Sequence, residues 1–156
     1  MLTIHQPRLF SRDLMVYEGD NHVAEIRHQT FSSVASIHYG GREYGVGRAG
    51  WFSGAYELSR GDSVIVSAEP VGFWRRRYEI TAGTNTYELR RKSGWFVMGR
   101  EFADGDSVVG SIERKGLLRS QTIADLPASV EPLVQVFVVW LANVLWQQDQ
   151  SAAAAG

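Results

Sequence analysis

Apolar and polar residues alternate with a period of two over roughly the first 120 positions, the pattern of strands that bury one face and wet the other. In 73–80, Trp74, Tyr78 and Ile80 share a side with Arg76, while Arg75, Arg77 and Glu79 take the other. In 85–91, Tyr87 and Leu89 oppose Thr86, Glu88 and Arg90. By this pattern strands are expected at 13–18, 22–27, 34–39, 43–47, 52–59, 63–68, 73–80, 85–91, 95–100, 107–113 and 117–121. Eleven short strands of this kind describe an all-β body.

The middle of the chain repeats itself. Gly50-Trp51-Phe52, Glu57, Gly61-Asp62-Ser63-Val64 and Ser67 recur 44 positions later as Gly94-Trp95-Phe96, Glu101, Gly105-Asp106-Ser107-Val108 and Ser111, without a gap. Each copy reads as strand, turn, strand, because a Gly-Asp pair supplies the positive φ and the side-chain-to-backbone bond of a tight turn. Two copies are too few for a solenoid, so a two-fold pseudo-symmetry within one barrel is expected. Val16 to Asp20 also ends an apolar stretch in Gly-Asp and is a candidate third hairpin of the same design.

The pattern changes near the C-terminus. Ser129 suits an N-cap and Pro132 a first helical turn, and Leu133 to Trp146 is apolar except for Gln135 and Asn143. At 100° per residue those two cluster with Glu131 on one stripe, leaving most of the circumference apolar, which a surface helix does not do. A bilayer span needs about 20 such residues, more than this run offers, so burial in protein is the better reading. A short helix enclosed on all sides by some eleven strands needs a sheet curled around it. The expected fold is therefore mostly β, a closed antiparallel β-barrel of about 11–12 strands enclosing a central hydrophobic C-terminal α-helix. One domain over 1–148 is expected, with the plug helix at about 129–148 and an Ala-rich flexible tail over 149–156.

Composition narrows the chemistry. At 156 residues, 44% hydrophobic, the chain can bury a core without staples, and it has no cysteine, which excludes disulfides and thiolate chemistry. A formal net charge of −1 gives no global pull towards nucleic acid or an anionic membrane. No transmembrane span and no signal peptide are read, because His5, Gln6, Pro7 and Arg8 interrupt the early apolar residues. The expected address is cytoplasmic, with peripheral contact at the inner membrane surface if a local patch reads lipid.

With Leu14-Met15-Val16-Tyr17, Tyr56-Glu57-Leu58, Tyr87-Glu88-Leu89 and the Ala124-Asp125-Leu126-Pro127 lead into an apolar helix ending Leu145-Trp146, the chain resembles the tubby C-terminal-like superfamily along nearly its whole length. That group includes tubby proteins, phospholipid scramblases and plant LURP-one-related proteins. The resemblance implies a roughly twelve-stranded barrel around a central helix, and a lipid-related role: tubby proteins bind phosphoinositides through basic residues on the barrel exterior. It transfers no binding residue by position. The Pro-rich region and palmitoylated cysteines of eukaryotic scramblases are missing here, as is an acidic loop with Ca²⁺-ligand spacing.

The candidate partner surface is a basic patch of Arg75, Arg77, Arg90 and Lys92, within the runs Arg75-Arg76-Arg77 and Arg90-Arg91-Lys92, with Arg114, Lys115 and Arg119 later. Its simpler explanation is a solvated wall with counter-charges such as Glu79 and Glu88. Trp51 and Trp95 could stack a ligand or pack the barrel, and Arg76, if inward, needs a partner such as Glu131. His5, His22, His28 and His38 lack metal-site spacing, so no metal or cofactor is expected. No GxSxG, P-loop or strand-linked GxGxxG occurs. The expectation is a non-enzymatic binding or scaffold domain, with anionic phospholipid, phosphoinositide or a protein as partner. The alternatives are a lipocalin-like small-molecule carrier, and an enzyme with histidines converging at a barrel mouth.

Overall fold

A computed structural model of the chain describes residues 1–7, 13–29, 34–50, 52–72, 77–92, 99–115 and 121–156. Twelve antiparallel strands close into one barrel: β1 (Leu2–His5), β2 (Leu14–Glu18), β3 (Asn21–His28), β4 (Ala35–Tyr39), β5 (Arg42–Arg48), β6 (Tyr56–Arg60), β7 (Ser63–Val71), β8 (Arg77–Ala82), β9 (Asn85–Arg91), β10 (Gly99–Asp104), β11 (Ser107–Lys115) and β12 (Gln121–Asp125). Every strand pairs with its sequence neighbour, and β1 closes the ring against β12 through Leu2↔Ala124, Thr3↔Ile123 and Ile4↔Thr122. The one helix among the described residues, α1 (Pro132–Ala155), follows.

Closure around α1 follows from which residues need to leave water. Val136 to Ala142 of the helix are 1% exposed or less, and each strand sends at least one side chain, from Ile4 on β1 to Ala124 on β12, to 2% or less. Trp140 sits at the centre. Its ring meets Tyr56 edge-on at 5.7 Å and Phe137 at 5.7 Å, and Tyr56 in turn lies 6.1 Å from Tyr78. The stripe of polar residues is satisfied inside: Gln135 Nε2 donates to the carbonyls of Pro127 and Val130, and Asn143 Oδ1 accepts from Thr122 Oγ1 at 3.3 Å. The stripe therefore faces the closing strand and the chain's entry into the lumen, which removes the cost of burying bare amides. Many outward positions are charged, among them Glu25, Arg27, Glu43, Glu79 and Arg90, with exposed valines at Val64 on β7 and Val108 on β11. This is the inverse of the apolar-out arrangement of a membrane-spanning barrel.

The two ends of the barrel differ. One carries two-residue turns led by Gly19, Gly40, Gly61, Gly83 and Gly105, all with φ between 57° and 60°. Gly40 and Gly41 both have positive φ, as the hairpin turns that match strand twist require. The six longer connections start and finish at the other end. The helix enters at the turn end, after β12, and its last turns emerge at the loop end beside Arg91 and Arg100.

The repeat is three-fold, which corrects the two-fold expectation. Hairpins β2–β3, β6–β7 and β10–β11 each end in a Gly-Asp turn, and each shifts register at the same place, between Val16 and Tyr17, Leu58 and Ser59, and Phe102 and Ala103. The alternate hairpins β4–β5 and β8–β9 pair without a shift. Four strands make one unit, and the third unit is completed by β12 and the N-terminal β1. A bulge in every unit adds the bend that closure needs.

Further expectations are extended. β1 adds to the strands expected from alternation; β10 runs Gly99–Asp104 and β12 runs Gln121–Asp125, each continuing past the expected 95–100 and 117–121, of which 95–98 and 117–120 lie outside the described residues. Glu131, not Ser129, occupies the N-cap, without a side-chain cap bond, because Pro132 at N1 already fixes the first turn. The helix also continues through 149–155, where alanine, the strongest helix former, follows a Ser151 hydroxyl bonded to the Gln147 carbonyl.

Candidate functional site

The arginines gather on β8, β9 and β10 at the loop end. On the outer wall Arg77 lies directly opposite Arg90, and Lys92 follows on the same face of the chain. Like charges opposite one another are unfavourable unless a third group intervenes. Glu88 does so: its Oε2 lies 2.7 Å from Arg90 Nε and 4.0 Å from Arg77 Nη1. Arg90 Nη2 also donates to the Gly105 carbonyl at 2.9 Å, and Lys92 Nζ meets Glu113 Oε1 at 3.2 Å. Three of the four expected patch residues thus come together, each with a carboxylate, while Arg75 lies outside the described residues. So do Trp51, Trp74, Arg76, Trp95 and Arg119. Arg77 is the least committed cation, half exposed and sharing its acid with Arg90.

A second cluster lies around the corner, on the inward side of the same strands. Arg91 on β9 is the register partner of Arg100 on β10. Arg100 is 4% exposed, and its Nη2 lies 3.1 Å from Asp149 Oδ2 on the emerging helix. Burial pushes the Arg100 guanidinium below its ordinary pKa; Asp149 opposes that shift and Arg91 adds to it. Its Nε has no hydrogen-bond partner among the described residues. Arg91, Arg100, Trp146, Asp149 and Gln150 line a cavity of about 220 Å³. Gln148 Nε2 also bonds to the Tyr56 hydroxyl, tying the helix end to β6.

The strand expected over 95–100 stops at Arg100 and so leaves out Phe102, the fully buried residue of the same parity that marks Arg100 as inward. Asp149 was assigned to a tail. Removing one partner of a buried pair costs more than replacing the whole pair with apolar groups. Asp149→Ala is therefore expected to destabilise the fold by about 1–3 kcal/mol, a range reduced for the exposed aspartate. Arg100→Met leaves behind only a half-exposed carboxylate and is expected to cost less, both losses being read by urea titration.

Comparison with family models, with curated proteins and with solved structures finds no match in any of the three. Function must therefore be argued from the molecule.

The histidines do not converge. His5, Tyr17 and His22 form an edge-to-face row across β1, β2 and β3, with centroids 5.7 and 5.4 Å apart, beside a shallow depression of about 290 Å³. His38 sits on β4, 3.8 Å from Glu43 and 3.4 Å from the Ser36 hydroxyl. Among the described residues no group of three or more His, Asp or Glu is placed to hold a metal ion. No described helix is long and apolar enough to cross a membrane.

Proposed function

We propose that the chain is a non-enzymatic binding domain that meets its partners with the outer wall and rim of the barrel, and that Arg77, Arg90 and Lys92 contact anionic groups such as lipid headgroups. The observation that carries this reading is the filled lumen. A carrier of lipocalin type keeps that space for its ligand, whereas here Phe137, Val138, Trp140 and Leu141 occupy it, all fully buried. Twelve strands around an axial helix are also what the resemblance to the tubby C-terminal-like superfamily implies, and exterior basic residues are how tubby proteins meet phosphoinositides. In this chain Glu88 and Glu113 moderate the patch, so the expected attraction is weak and salt-sensitive.

Co-flotation with neutral and phosphoinositide-containing liposomes tests the proposal. Wild-type chain is expected to float with the anionic vesicles only, and to lose them as salt rises. At about 1 kcal/mol per basic residue near such a surface, reversing Arg77 and Lys92 to glutamate should weaken binding by tenfold or more, roughly. Circular dichroism serves to check that the variant is folded. No flotation of wild type at low salt would reject the lipid reading and direct the search to a protein partner of the same face.

A further inference from the structure

We propose that the mouth of the barrel beside the emerging helix is a binding site for a small oxyanion, a carboxylate or a phosphate, held between Arg100 and Arg91, and that Asp149 is its resident substitute. The site is distinct from the outer wall, because Arg91 and Arg100 share the inward parity of Leu89 and Phe102 while Arg77, Arg90 and Lys92 face out.

Four observations converge on it. Two arginines stand at directly opposed register positions of neighbouring strands, an unfavourable pairing with no third group shared between them, among the described residues, of the kind Glu88 provides on the wall. Arg100 is more than nine-tenths buried, lines the cavity, and keeps an Nε–H without an acceptor among the described residues, although a guanidinium offers a planar fork suited to two oxygens at once. Arg91 also lines the cavity and forms no ion pair among the described residues. Finally, Asp149 answers only one of the two positive charges and only through Nη2. Among the described lining residues, Arg91 and Arg100 against Asp149 leave one unit of positive charge, which a monoanion would neutralise.

At about 220 Å³ the cavity has room for several water-sized groups, enough for a carboxylate or phosphate and a short substituent but not for a lipid chain. Trp146, 5% exposed, forms an apolar wall for such a substituent, and the Gln150 side chain adds an amide that can donate to an oxygen or accept from a hydroxyl. Asp149 rides on the last turns of α1, where leaving Arg100 requires only a side-chain rotation in an aspartate that is already 45% exposed. An incoming anion would therefore displace a weakly held carboxylate from a site that is already built.

The experiment uses the full chain and two probes, acetate and inorganic phosphate, titrated against chloride at constant ionic strength while the Arg side-chain Nε–H resonances are followed by NMR. The expected result is a saturable shift of the Arg100 Nε–H with one or both probes. It should be absent in Arg100→Met, weaker in Arg91→Met and unchanged in the outer-wall variant Arg77→Glu. Asp149→Asn should bind about tenfold more tightly if the aspartate occupies the site about nine-tenths of the time, and its melting temperature should rise with probe concentration more steeply than that of wild type. Floating the same variants with anionic vesicles separates the two sources of the anion: Arg100-dependent flotation assigns a lipid headgroup, and saturation by the free probes without it assigns a soluble metabolite. A linear, chloride-like response to both probes in wild type and Asp149→Asn would overturn the proposal and leave the two arginines as counter-charges to the helix C-terminus. If Arg100→Met does not fold, a shift undiminished in Arg91→Met would equally overturn it.

Discussion

Trp140→Ala is expected to destabilise the chain by about 3–5 kcal/mol, the largest single effect of any substitution considered. Against a total stability of roughly 5–15 kcal/mol for a domain of ordinary size, that loss leaves little margin. The reason is geometric. Trp140 is fully buried on the barrel axis, between Tyr56 on the wall and Phe137 one turn back along the helix, and a barrel closed by twelve hydrogen-bonded ladders cannot shrink to fill the hole. Trp140→Phe should cost clearly less. Its ring keeps most of the volume, and the indole N–H it removes has no acceptor among the described residues. Urea titration of the two variants checks both statements; equal losses would show that the site is not packed as described.

Gly110→Val is expected to destabilise by about 3 kcal/mol, at the upper end for overpacked cores, although the three-fold repeat recommends it. Gly110 pairs with Phe102 as Val66 pairs with Leu58 and Ala24 with Val16, and both of those partners point inward and are buried. A Cβ at Gly110 would stand 2.5 Å from the Asp125 carbonyl oxygen and 3.2 Å from Leu126 Cδ2. Those atoms belong to the segment by which the chain leaves β12 and turns into the lumen. The third unit has thus given up its inward side chain to let the helix enter. The converse substitution, Val66→Gly, removes core volume without relieving any contact, so the two positions should not respond alike in thermal denaturation.

The architecture was readable because the strongest signals were local and agreed with one another. Period-two alternation set the faces of β8 and β9, with Tyr78 and Ile80 buried and Arg77 and Glu79 exposed. The all-round apolar run from Leu133 to Trp146 required an enclosure, and the barrel provides it. What escaped was non-local. β1 is four residues long and is held between β2 and β12, and the second of these partners lies more than a hundred positions away, outside any local window. The third repeat was hard to recognise because identity is lost while the turn and the bulge are kept. The mouth cluster escaped on both sides: Arg100 because the expected strand ends before Phe102, Asp149 because an Ala-rich composition does not show that the helix runs on past Trp146. The basic patch was legible as a set of positions, but its pairing with Glu88 and Glu113 depends on register, which alternation alone does not supply.

The filled lumen is what separates a barrel that binds with its exterior from one that carries a ligand inside, and native-state amide hydrogen exchange tests it most directly. The amides of Val136 to Leu145 are expected to exchange only with global unfolding, at the same free energy as the slowest amides of β6 and β10 and with the same urea dependence. Helix amides that open at a distinctly lower free energy than those strands would mean that the helix leaves the barrel while the wall stays closed, and the lumen would then be a ligand cavity after all.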